Sequence, residues 1–70
     1  MNDICDIIAA NVRLFREIKG ISQEELAHRT NLDRTYISGI ERGVRNPTIR
    51  VLERLASALD VDICGLISGR

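Results

Sequence analysis

Apolar positions recur every three or four residues along nearly the whole chain, without the strict apolar–polar alternation of a half-buried strand. That spacing follows the 3.6-residue helical turn, so it predicts an all-α protein. The first helix runs from about Ile4 to Lys19, with Ile4, Ile8, Val12 and Phe15 on one face. Ile7, Leu14 and Ile18 form a second stripe beside it, and Asn11 lies between the two. So wide an arc exceeds what one neighbouring helix covers, which predicts contact with the last helix, a second subunit, or both. Gly20 ends the helix in the left-handed conformation that glycine tolerates best.

Ser22-Gln23-Glu24-Glu25 reads as a capping box opening a second helix. Ser22 accepts from the Glu25 amide, and the Glu25 carboxylate reaches back to the Ser22 amide. Leu26 and Ala27 face inward, and the helix stops near Thr30 with Asn31 suited to positive φ. Leu32 then enters the core, and Asp33 caps a third helix from Arg34 to about Arg42 that buries Ile37 and Ile40 before Gly43 terminates it. Thr48 caps a fourth helix with Ile49, Leu52, Leu55, Ala56 and Leu59 at helical spacing and Asp60 as its stop. Asp62 caps a short fifth helix with Ile63, Leu66 and Ile67 apolar, weakened at Gly65 by about 1 kcal/mol relative to alanine. The expected architecture is one compact five-helix domain over residues 1–70.

Seventy residues bury only about 60% of their unfolded surface, so the core is marginal and dimerisation is expected. No apolar run approaches the roughly 18–20 residues that span a bilayer. The opening MNDICDIIAA carries acidic residues where a signal peptide needs basic ones, so a cytoplasmic protein is expected. Cys5 and Cys64 belong to no CxxC pair or Cys/His cluster, so neither zinc nor another metal is expected. Two small hydrophobes in a reducing compartment is the plain reading of them; a disulfide between the first and last helices is the alternative. With one histidine, His28, and no nucleophile–base pair, the chain is not expected to be an enzyme or to hold a cofactor.

Charge changes the picture by its distribution. The net charge is zero and the sequence pI about 6.5, which disfavours a strong nonspecific nucleic-acid binder. Yet residues 1–28 hold three basic and five acidic groups, whereas residues 29–54 hold six basic groups against three acidic ones. A neutral protein can carry one basic face. The outer face of the third helix presents Arg34, Thr35, Ser38, Gly39 and Arg42, several of them hydrogen-bond donors that the fold does not need. Two helices joined by a tight turn, the second exposing donors, are the parts of a helix-turn-helix, here at about residues 22–42.

From KGISQEELAHRTNLDRTYISGIERGVRNPT to LERLASALDVDICGLI, the chain resembles the Cro/repressor-type helix-turn-helix family. The similarity runs from about Ile8 to Ile67, and RTYIS…ERGVRNPT is especially similar to restriction–modification controller proteins. The resemblance implies a sequence-specific regulator that binds a palindromic double-stranded DNA operator as a homodimer. Its recognition helix maps onto Arg34–Arg42. The usual turn glycine is Asn31 here, and Gly39 stands where many relatives present a base-reading side chain.

Arg34 is the first candidate for base readout, since a guanidinium can grip guanine O6 and N7 together. The alternative, a solvated arginine, is locally unfavourable because the helix dipole opposes a cation at a helix start. Thr35 and Ser38 are the other candidate readers; Thr35 is equally readable as a surface threonine, and solvent exposure is the default reading of Ser38. Gln23, Tyr36, Arg42, Arg45 and Asn46 are the candidate phosphate contacts. Tyr36 is also readable as a half-buried support of the turn, and Arg50 and Arg54 read as surface charges. Arg16 and Glu41 match a family salt bridge between the first helix and the end of the third. Ile63, Leu66 and Ile67 are the candidate dimer interface, unless they pack on the first helix and complete the monomer's core. RNA polymerase is a further possible partner; no membrane and no small-molecule ligand are expected. The competing class is a protein-interaction module on the same fold, such as an antitoxin or adaptor subunit.

Overall fold

Four of the five helices end by one device, a residue at positive φ whose successor turns its amide back to a carbonyl five positions earlier. The computed structural model describes residues 3–69. Its helices are α1 (Ile4–Lys19), α2 (Gln23–Thr30), α3 (Arg34–Glu41), α4 (Ile49–Leu59) and α5 (Ile63–Ile67). Gly20, Asn31, Gly43 and Asp60 take φ of 74°, 56°, 75° and 59°. The following amides of Ile21, Leu32, Val44 and Val61 then bond the carbonyls of Arg16, Ala27, Gly39 and Ala56. Those bonds satisfy carbonyls that a helix end leaves without partners.

Helix starts are set by side-chain caps at three places. Ser22 Oγ accepts from the Glu25 amide at 3.0 Å, Asp33 Oδ1 from the Thr35 amide at 2.8 Å, and Thr48 Oγ1 from the Val51 amide at 3.2 Å. The return half of the capping box is not formed. The Glu25 carboxylate instead accepts from Arg29 Nε at 2.8 Å, because a cation one turn along the helix is a stronger donor than a neutral amide. Asp62 stands before α5 without a side-chain cap bond.

All five helices contribute to one hydrophobic cluster, with Ile8 and Val12 of α1, Leu26 of α2, Ile37 and Ile40 of α3, Leu52, Leu55 and Leu59 of α4, and Leu66 of α5. α1 packs on α3, α4 and α5, which accounts for its wide apolar arc. Ile7 and Leu14 are half-buried, but Ile18 in the last turn is exposed. Ile49 does not enter the core; it is 67% exposed, since it opens α4 ahead of the turns that meet α2 and α5.

The expected dimer trio separates. Leu66 has 0% exposure and belongs to the monomer's core, so it is not available to a second subunit. Ile63 is half-buried against the same core, and only Ile67, at 41%, faces outward. Beneath Leu66 lies Asn11, buried, whose Nδ2 donates to the Leu66 carbonyl at 2.9 Å and the Ser68 carbonyl at 3.0 Å. A helix of five residues leaves most of its carbonyls unpaired, and Asn11 meets them from α1. Cys5 and Cys64 are free thiols, half-buried and exposed respectively.

Candidate nucleic-acid interface

The polar features that position α3 converge on one buried carboxylate. Glu41, the last residue of α3, has a side chain with 0% exposure. Arg16 Nε donates to its Oε2 at 2.6 Å and Arg16 Nη2 to its Oε1 at 3.0 Å. Gln23 Nε2 donates to Oε1 at 3.0 Å, and Arg13 Nε lies 3.8 Å away. Arg16 also donates Nη1 to the Ile21 carbonyl at 2.9 Å, so α1 and the turn before α2 are held by the same guanidinium. The hydrogen bonds to Glu41 raise the Arg16 pKa above its ordinary value, against the opposing effect of burial. The end of α3 is thereby fixed to α1 and to the first residue of α2.

With its inner side held this way, α3 leaves a polar outer side. Arg34, Thr35 and Arg42 are exposed, and Ser38 and Tyr36 are half-buried. Arg45 and Asn46 are exposed in the following loop, while Pro47 is buried. Among the described residues, the side chains of Arg34, Thr35, Ser38, Arg42 and Asn46 form no hydrogen bond or ion pair. Arg34 opens the first turn of α3, which carries no acidic residue after the Asp33 cap. On the helical period Arg34, Thr35 and Ser38 share one side of α3.

Gln23 is placed differently from a free surface amide. One of its two amide hydrogens is committed to Glu41, which leaves the second as its only remaining donor. Arg54, read from the sequence as a simple surface charge, approaches the Thr30 carbonyl with Nη1 at 3.5 Å and so supports the end of α2. The link from Gln23 to Glu41 and the Asn11 bonds to α5 were not foreseen. For Asn11 a signal existed: a polar residue flanked by two apolar stripes must be buried with a partner. The stem of Arg45, a candidate phosphate contact, lies across Gly39 of α3, with its guanidinium carbon 6.0 Å from the Tyr36 ring centroid.

Residues 12–66 match the family model described as helix-turn-helix. The control protein C.SmaI of Serratia marcescens is 46% identical over 66 residues, covering 94% of this chain and 79% of that protein. A crystal structure of the hypothetical transcription factor NHTF from Neisseria superposes with a TM-score of 0.91 at 45% identity, covering 94% of this chain and 76% of that one. The restriction–modification controller protein C.AhdI from Aeromonas hydrophila gives a TM-score of 0.85 at 40% identity, over 89% and 94% of the two chains.

Proposed function

Because the chain belongs to the helix-turn-helix family of DNA-binding transcription regulators, we propose that it binds a palindromic operator as a homodimer, with α3 in the major groove. The observation that carries this is the contrast between the two sides of α3. Its inner side is locked by core packing and by the Glu41 network, while Arg34, Thr35 and Ser38 keep their donors unspent on the outer side. A groove about 12 Å wide admits one such helix and presents a readable pattern of donors and acceptors.

In this assignment Arg34 reads guanine, with Thr35 and Ser38 as the neighbouring base contacts. Tyr36, Arg42 and Asn46 hold phosphates on either side. Gln23 gives its second amide hydrogen to a phosphate at the start of α2, where unpaired backbone amides and the helix dipole also favour an anion. The dimer forms through the outer side of α5, at the exposed Ile67 and the edge of the half-buried Ile63. Two-fold symmetry then sets half-sites about 34 Å apart. Its likeness to C.SmaI and C.AhdI supports a restriction–modification controller role in the cytoplasm, exerted by occupancy and contact with RNA polymerase, and by binding rather than catalysis.

Salt dependence tests this class of function. Binding to duplex DNA through phosphate contacts weakens by about 0.9 log units per phosphate for each log unit of salt. A steep slope for a selected duplex is the expected result. No retention of duplex DNA at low salt, with a salt-insensitive protein complex in its place, would make the chain a protein-interaction module instead.

A further inference from the structure

α5 ends unlike the other four helices. Ser68 takes the chain out of it in an extended conformation, φ −78° and ψ 126°, where the others close on a residue at positive φ. Asp62 makes no side-chain cap bond at its start, and Gly65 stands in its middle. Its five residues therefore have little helical stability of their own. The buried Leu66 fixes how deeply α5 sits on the core. One buried side chain does not fix the rotation of a helix about its axis.

Asn11 of α1, at 2% exposure, supplies that second hold. Its Nδ2 donates to the carbonyls of Leu66 and Ser68, at 2.9 and 3.0 Å, and these two residues flank Ile67 in the chain. The backbone through Ile67 is thereby held on both sides by one amide. The Ser68 hydroxyl closes the same turn by donating to the Cys64 carbonyl at 2.6 Å. Ile67, at 41% exposure, is left facing outward. A buried amide with both hydrogens bonded rigidifies its surroundings and selects one arrangement of them.

Resting on the α5 dimer interface proposed above, we propose that Asn11 is the positioning residue of that interface. It sets the direction in which Ile67 meets the second subunit, although it lies in α1 and is too buried to touch that subunit itself. Subunit pairing, and with it the separation of the two α3 helices on an operator, then depends on one buried amide.

The test is the dimer dissociation constant, measured by sedimentation for the wild type, Asn11→Leu and Ile67→Glu at a temperature where each is folded by circular dichroism. Asn11→Leu keeps the branched shape of asparagine and removes both donors. It should weaken the dimer by roughly 5- to 150-fold, the range to which two hydrogen bonds of ordinary net strength correspond. Its helical signal should match the wild type. A residue with a structural role alone would lower the melting temperature and leave the dimer constant of the folded protein unchanged, and that result overturns the assignment. A second measurement holds even where Asn11→Leu does not fold. If the Asn11 bonds favour pairing, pairing must favour those bonds by the same factor. In nuclear magnetic resonance, the Asn11 side-chain amide protons should therefore exchange more slowly in the wild-type dimer than in the Ile67→Glu monomer. Equal rates in the two, or rates as fast as those of the exposed Asn46, would overturn the assignment. A wild type that does not dimerise, or an Ile67→Glu variant that still does, removes the α5 interface itself and this assignment with it.

Discussion

Replacing Glu41 by glutamine changes almost no volume, yet it should be among the most damaging single substitutions in this chain. The Glu41 carboxylate is acceptor to three donors: Arg16 Nε, Arg16 Nη2 and Gln23 Nε2. An amide offers one acceptor oxygen and turns a second donor toward them. Arg16 keeps its charge at any accessible pH, and its side chain is only 14% exposed. Breaking a buried pair from one side costs about 3–5 kcal/mol, and the residual exposure of Arg16 argues for the lower end. A chain of 70 residues has about 4–10 kcal/mol of stability in total. Glu41→Gln should therefore lower the melting temperature by roughly 12–24 °C, at about 4–8 °C per kcal/mol for a domain of this size. Urea denaturation followed by circular dichroism, with an unchanged m-value, would measure it. A loss below about 1 kcal/mol would mean that the network is not a structural anchor for α3.

The paired variants Leu66→Glu and Ile67→Glu separate core from interface. The first should lose most helical signal, because Leu66 is buried in the monomer; the second should stay helical and sediment as a monomer, and an intact dimer for Ile67→Glu would refute the α5 interface. Acid should weaken the fold in a defined way. Hydrogen bonds from Arg29 and Lys19 hold the carboxyls of Glu25 and Asp60 below their ordinary values of 4.5 and 3.8. Groups with depressed folded pKa values add stability that is complete above the unfolded values and lost as pH falls through the folded ones. Stability should thus decline below about pH 4.5, modestly because both pairs are exposed. Lys19→Ala should abolish the Asp60 share, so its urea midpoint should differ from wild type near neutrality and converge with it in strong acid; a constant difference would contradict the linkage.

Features decided within one turn of chain were legible in the sequence. Ser22, Asp33 and Thr48 cap because their oxygens reach amides two or three residues ahead, and Asn31 tolerates positive φ by its own chemistry. Features decided across the fold were less so. Ile63, Leu66 and Ile67 are equally apolar, and only the placement of α5 against α1 selects Leu66 for the core. Glu25 had two partners within reach, and the charged one prevailed. The candidate site divides along the same line. Arg34, Thr35 and Ser38 follow from helical spacing on α3, whereas the seat of Arg45 depends on a loop that folds back over Gly39.

Selection from randomised duplex DNA at moderate salt, with Arg34→Ala in parallel, tests most directly whether α3 reads sequence. The wild type should enrich a two-fold symmetric site with half-sites about 10 base pairs apart. Arg34→Ala should relax preference at one base pair per half-site while leaving the others intact, at a cost of about 1–3 kcal/mol. Failure to enrich any site, or an Arg34→Ala variant with unchanged preference, would contradict α3 as the recognition helix.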